Sequence, residues 1–154
     1  MSNNKSIKVI STNKKASFLY SLLDKYEAGI SLLGSEVKAI RENKVNIKES
    51  YIRIKKLELY LIGMHIGEYS HSGYSSHEPL RERKLLLHKR EIVKIERSVK
   101  ESGKTIIPTL LYFKNGKIKL EFSIAKGKKI WDKRSAKKDK DIKRDMDRDI
   151  KLKK

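Results

Sequence analysis

TIIPTLLYFKNGKIKLEFSI, Thr105 to Ile124, holds two strand patterns around one turn signal. In its second half Ile118, Leu120, Phe122 and Ile124 alternate with Lys117, Lys119, Glu121 and Ser123. A period of two is the mark of a strand with one buried face. Asn115-Gly116 sits between the halves, and that dipeptide supplies the two positive-φ positions of a type I′ hairpin turn. Pro108 has no N–H to give to a ladder, so the first strand, Thr105–Phe113, is expected to be edged or bulged there.

Working outward, a second hairpin is expected between Tyr51–Ile54 and Leu59–Ile66, and further strands at Phe18–Leu23 and Ala28–Leu33. Six short strands joined by hairpins point to a mainly β fold, a six-stranded antiparallel OB-like barrel with flanking helices. A short helix is expected after Gly34, with Ser35 as N-cap and Glu36 in the first turn, where the helix dipole favours a carboxylate. A longer one is expected over Pro79–Ser102, with Leu85, Ile92, Ile95 and Val99 on one face, His88 filling the gap between them, and Gly103 ending it. Glu68–Glu78 (EYSHSGYSSHE) is polar and aperiodic and reads as a mobile surface loop.

The 154 residues carry 38 Lys and Arg against 19 acids, a formal charge of +19, and no cysteine. Charge of one sign on that scale is tolerable when a polyanion neutralises it, and nucleic acid is the commonest such partner. No apolar run approaches the roughly 20 residues that span a bilayer, which disfavours a membrane partner. The absence of cysteine excludes disulfides and thiolate metal sites and fits a cytoplasmic chain. The organisation expected is a flexible N-terminus over 1–11, a β-rich body over 12–125 and a basic tail over 126–154. The tail holds 14 Lys and Arg and 6 Asp, a net of +8. Ile142, Met146 and Ile150 recur every four residues and would form one stripe on a helix. Three aliphatics cannot offset roughly 1–2 kcal/mol of backbone entropy per ordered residue, so alone the tail should be disordered and order on a polyanion. A merely solvated charged terminus is the plainer alternative.

Catalytic and metal signatures are missing from the pattern. There is no Gly-rich phosphate loop and no serine in a nucleophile-elbow context, so no enzyme and no cofactor are expected. His65, His71, His77 and His88 lack ligand spacing and read as structural histidines. Glu36 lies near Lys38, Arg41 and Lys44. It either satisfies a helix N-terminus or accepts hydrogen bonds from base amino or ribose hydroxyl groups.

Several blocks together resemble the SmpB family of SsrA-binding proteins. They are Asn13-Lys14-Lys15-Ala16, Tyr26-Glu27-Ala28-Gly29-Ile30 and Gly34 through Arg41, then Asn46 through Tyr51, His77 through Ile92, Leu111 through Gly116, and Gly127 through Arg134. They come in the family's order and cover about Asn13 to Arg134. The resemblance implies an OB-like body that binds the tRNA-like domain of transfer-messenger RNA and delivers it to stalled ribosomes. It also implies a tail that becomes helical in the empty message channel near the decoding centre. Carried over, Asn13, Lys14, Lys15, Glu36, Lys38 and Arg41 would form the RNA-binding face of a monomer. Gly127, Lys128, Lys129, Trp131, Asp132, Lys133 and Arg134 would open the ribosome-engaging tail. At position 131 the family usually has tyrosine or histidine; tryptophan keeps a flat face for stacking but lacks the phenolic hydroxyl and the imidazole proton. The competing reading is an OB-barrel ribosomal protein or a general single-stranded RNA binder.

Overall fold

The computed structural model describes residues 6–71, 73, 76–100, 103–128, 138 and 140–146. Among the described residues, nine strands and three helices build the body in the following order. Strand β1 (Ile7–Thr12) leads into helix α1 (Lys14–Leu19), which runs directly into the long strand β2 (Tyr20–Ile30). Helix α2 (Gly34–Arg41) precedes the short β3 (Val45–Asn46), the hairpin β4 (Tyr51–Lys55) and β5 (Glu58–Ile62), and β6 (His65–Ile66). Strand β7 (Arg83–Leu86), helix α3 (Lys89–Lys100) and the long hairpin β8 (Lys104–Lys114) and β9 (Lys117–Gly127) complete the body.

The β8–β9 hairpin is the spine the sequence announced. Asn115 and Gly116 have φ of 53° and 77°, and Lys114 pairs with Lys117 across them. Around it six strands close into a ring in the order β8, β4, β5, β7, β2, β9, with β9 returning to β8; β1 lies outside on β8. All pairings are antiparallel. Closure leaves the ring strands without a free edge, and one apolar interior forms inside it. Leu61, Leu111, Leu120 and Phe122 are fully buried there, and Tyr26 stacks on Phe122 at 5.7 Å between ring centres. Ile92 and Ile95 of α3 join the same core.

The structure revises several local expectations. Phe18–Leu23 and Ala28–Leu33 are not two strands: Phe18 and Leu19 close α1, and β2 runs unbroken from Tyr20 to Ile30. Ala16 seats α1 against Ile107 and Ala125 in a small satellite core, and this packing holds so short a helix. The helix expected from Pro79 starts only at Lys89. Arg83 and Leu85 are buried while Lys84 and Leu86 are exposed, so this stretch obeys period two as β7. Its pairing with both β5 and β2 is what closes the ring. His88 is correspondingly exposed and not on the apolar face. Residues 7–11, expected to be flexible, pair with β8 as β1. Likewise β9 passes the expected boundary at 125 and ends at Gly127.

In the tail, residues 140–146 are helical, with exposed side chains that include Ile142 and Met146. Residues 126–128 and 138 are also described; the rest of the expected disordered tail, Trp131 and the 129–134 segment included, lies outside the described residues. No helix among the described residues is long and apolar enough to cross a membrane.

Candidate RNA interface

Pro108 determines where the interface begins. The β8–β9 register slips between Pro108 and Leu110, leaving Thr109 as an extra residue in a bulge. The bulge turns two carbonyls to one side chain and its backbone. The Asn13 amide Nδ2 donates to the Pro108 carbonyl at 3.0 Å, and the Asn13 backbone N–H donates to the Thr109 carbonyl at 2.9 Å. Asn13 is the N-cap of α1, yet its side chain makes no cap hydrogen bond. It is a clamp that fixes the start of α1 on the bulge, and Lys14 and Lys15 come after it, exposed to solvent.

Beside Lys14 an open groove of about 410 Å³ runs between the end of β1 and β3. Ser11, Thr12, Lys14, Asn46 and Lys48 line it, and none of its walls is a carboxylate. Asn46 shapes the rim by accepting the Lys48 backbone N–H at 2.8 Å. Lys48 belongs to a block whose resemblance to the family was legible, but nothing local in the sequence distinguished it from the other exposed lysines. Lys38 and Arg41, both exposed, belong to α2, which packs against β6, the partner strand of β3. Lys38 sits over the Tyr69 ring at 5.4 Å.

Glu36 is not on this surface. It is completely buried at the N-terminal turn of α2. The helix is capped at Leu33, not at Ser35 as expected, and Glu36 in the third helical position reaches back to accept the Leu33 backbone N–H at 2.9 Å. Its remaining capacity goes to arginine. Arg81 Nη2 donates to Oε1 at 2.6 Å, and Arg83 Nε donates to Oε2. Arg83 is itself fully buried and spends its other donors on the carbonyls of Met64 and Pro79. Burial pushes the Glu36 carboxyl up, but the bonds from Arg81, Leu33 and Arg83 outweigh it and hold the group below its ordinary value. A carboxylate so enclosed has no oxygen free for a base or a ribose. Glu36 thus satisfies the helix N-terminus, the first of its two expected readings, and half-exposed Arg81 is the surface end of its network.

The 68–78 loop is tied down at both ends. Lys44 binds Glu42 at 3.0 Å and the Glu68 carbonyl at 3.1 Å, while Ser70 donates to Glu42 at 2.9 Å. At the other end His77 is buried between Ser35 Oγ and the Ile66 carbonyl, each at 2.9 Å. The carbonyl can only accept, so Nε2 carries a proton. Of the four histidines, His77 alone is structural in the expected sense; His65, His71 and His88 are exposed.

The first two tail residues expected to meet the ribosome are docked on the body, Gly127 on β2 and Lys128 on α1. Gly127 pairs with Tyr20, the Lys128 N–H donates to the Leu19 carbonyl, and Lys128 Nζ donates to the Ser17 carbonyl at 2.9 Å. Lys128 thus satisfies carbonyls that the last turn of a helix leaves open. The tail leaves the body at one end of a helix only about 9 Å long, and Lys14 and Lys15 stand at the other.

A closed antiparallel ring with a lysine-lined, carboxylate-free groove defines a small β-protein built to hold a polyanion. More narrowly, the chain belongs to the SmpB protein family, whose model matches residues 10–152. It is 51% identical over 139 residues to the SsrA-binding protein of Koribacter versatilis, covering 90% of this chain and 77% of that one. It is 50% identical over 145 residues to the SsrA-binding protein of Persephonella marina, covering 94% and 95%. Among solved structures it is similar to a chain described under "tmRNA-SmpB: a journey to the center of the bacterial ribosome". The two share 40% identity at a TM-score of 0.64, over 77% of this chain and 84% of that one.

Proposed function

We propose that this protein is an RNA-binding adaptor of trans-translation. It binds the tRNA-like domain of tmRNA (SsrA RNA) and delivers it to stalled ribosomes, so that the incomplete peptide is tagged and the ribosome released. Half identity to SsrA-binding proteins over nine-tenths of the chain is the observation that carries this reading. The structure supplies physical means for it. Lys14 and Lys48 face a groove without competing acids. Phosphate contacts of this kind release counterions and make binding steeply salt-dependent, while the rigid ring gives them a fixed spacing against a folded RNA.

In this reading Asn13, Lys14, Lys15, Lys38 and Arg41 form the RNA face. Asn13 sets the position of the two lysines, and Glu36 acts indirectly by fixing Arg81 and the segment before β7. The body is the RNA-binding unit, and Gly127, Lys128, Lys129, Trp131, Asp132, Lys133 and Arg134 begin the ribosome-engaging tail. Trp131 would stack on an exposed base of the ribosomal RNA and the lysines would meet phosphates. The protein acts by binding alone, without catalysis, and works in the cytoplasm where its ribosomal partner is.

Competition binding at near-physiological salt tests the proposal, with the tRNA-like domain against excess bulk tRNA and unstructured single strands. Retention of the tRNA-like domain against both competitors is expected. Equal displacement by all three would leave a general RNA binder in its place.

A further inference from the structure

Helix α3 turns two unlike faces to its surroundings. At about 100° per residue, Ile92, Ile95 and Val99 fall within roughly 60° of arc, and Arg90, Lys94 and Arg97 fall within roughly 60° on the opposite side. Ile92 and Ile95 are buried in the core and Val99 packs against it, so the three cations point to solvent, where all are exposed.

Two observations set this stripe apart from an ordinary solvated face. The first is what its members lack. Elsewhere on the body Lys25, Lys55, Lys84 and Lys114 each hold a glutamate within 3.5 Å. Arg90, Lys94 and Arg97 meet no carboxylate among the described residues. The acids of the helix itself are directed elsewhere: Glu96 pairs with Lys100 at 3.1 Å, and Glu91 lines the cleft beside β2. The second observation is where the cations stand. Arg90 occupies the first turn of α3, where the helix dipole disfavours positive charge. Arg90 and Lys94 are a like-charge pair at i, i+4, and Lys94 and Arg97 another at i, i+3. Each of these weakens the helix, and no partner among the described residues offsets it. Such an arrangement calls for a polyanion outside the chain.

The chemistry narrows the partner. No large apolar side chain of α3 is exposed, so the face lacks the apolar centre against which a stable protein partner packs. No aromatic ring lies on the helix to hold a base. What remains is three long cations in line over about 10 Å of helix, two of them guanidinium forks suited to phosphate oxygens. That is a docking surface for a sugar–phosphate backbone, met through its charge and course and not through its sequence. The groove at Lys14 and Lys48 is built by β1, α1 and β3 and takes no residue from α3, so the two surfaces can hold different strands.

We infer that the outward face of α3 docks on a backbone stretch of ribosomal RNA, with Arg90, Lys94 and Arg97 on neighbouring phosphates. A protein that carries one RNA to a particle built on another needs a surface for each. This one lets the body, and not only the tail, hold the ribosome.

The inference rests on the adaptor reading, and one set of measurements separates the two. Full-length protein carrying Arg90→Gln, Lys94→Gln and Arg97→Gln is compared with the native protein. A control loses the same charge at three other exposed positions, through Lys8→Gln, Arg53→Gln and Lys117→Gln. Glutamine is a good helix former, so α3 is retained, and an unchanged circular dichroism spectrum verifies it. Binding to the tRNA-like domain and to ribosomes stalled on a message without a stop codon is measured across a salt series. The α3 variant is expected to bind the stalled ribosomes roughly 10-fold more weakly at near-physiological salt, with the slope of log affinity on log salt flattened by about 2–3. Its affinity for the tRNA-like domain is expected to stay near the native value, and the control is expected to lose much less on the ribosome. Equal losses in the α3 variant and the control would reduce the stripe to bulk charge and overturn docking, as would ribosome binding left at the native level in both. A loss confined to the tRNA-like domain would assign α3 to that RNA and overturn the ribosomal docking. If the native protein shows no preference for the tRNA-like domain over bulk tRNA, the adaptor reading falls, and the inference with it.

Discussion

At the scale of single residues, Glu36 shows how charge and burial trade places. A glutamate near lysines in sequence looks like a surface group, yet here it is the inner end of an ion-paired network with Arg81 and Arg83. Removing it by Glu36→Ala leaves Arg83 buried without its counter-ion, which should cost about 3–5 kcal/mol in urea unfolding. The loss of RNA affinity that accompanies it would then reflect a loosened body, so stability has to be measured beside binding. The network also fixes a pH dependence. Its bonds hold the Glu36 pKa below the ordinary 4.5 when folded. The unfolded carboxyl therefore takes up a proton first, and the stabilisation present above pH 4.5 is lost as pH falls through the folded value. Glu27, held down by its hydrogen bond from Tyr112 and by Lys114, adds in the same direction. A plot of unfolding free energy against pH should decline below about pH 4.5 for the native chain and more gently for Glu36→Gln. Identical slopes would show that the network is not what acid titrates.

Among the elements, the β4–β5 hairpin stores strain that its residues did not advertise. Lys56 and Leu57 occupy a two-residue turn with φ of 48° and 59°. Neither residue has the side chain that tolerates the left-handed region, which costs roughly 1–2 kcal/mol per residue. Replacing Lys56-Leu57 by Asn-Gly should raise stability by about 1 kcal/mol, visible as a higher melting temperature, since Leu57 is already 41% exposed and gives up little burial. An unchanged or lower melting temperature would mean that Leu57 packs more than its exposure indicates. The contrast with β8–β9 explains what the sequence made legible. That hairpin was readable because alternation, turn chemistry and proline agreed, and its bulge at Thr109 was implied by Pro108. Strand β7 was not readable, because a buried Arg83 breaks the polar-out rule and the pattern just after it, Ile92, Ile95 and Val99, was truly helical. Its four residues were absorbed into the neighbouring period. Helix α1 was hidden for a different reason: Ala16 alone seats it, and the partners Ile107 and Ala125 come from strands some ninety residues or more away in sequence. In the same way Lys14 and Lys15 could be picked from a motif, whereas the Lys48 wall acquires meaning only when β1, the start of α1 and β3 are folded together.

For the whole molecule, the question is whether binding RNA and serving the ribosome are separable, and the structure dictates where to cut. A chain ending at residue 126 would lose the Gly127 pairing to Tyr20 and both Lys128 bonds to α1, and so disturb the helix that carries Lys14 and Lys15. Ending the chain after Lys128 keeps every one of those contacts and removes only residues 129–154. This shortened protein is expected to bind the tRNA-like domain with nearly the native Kd at near-physiological salt. Loss of the tail's net charge should flatten the salt dependence of non-specific binding more than that of specific binding, since long-range attraction counts lysines wherever they stand. In a reconstituted system with ribosomes stalled on a message lacking a stop codon, the same protein should fail to support peptide tagging. Restoring residues 129–134 alone, the segment around Trp131, should recover part of the activity if stacking and phosphate contact near the start of the tail matter most. Recovery only with the full tail would place the weight on the helical segment at 140–146 instead. Equal losses of RNA affinity and tagging in the protein that ends at Lys128 would mean that body and tail act as one binding surface, and the division of labour between them would have to be abandoned.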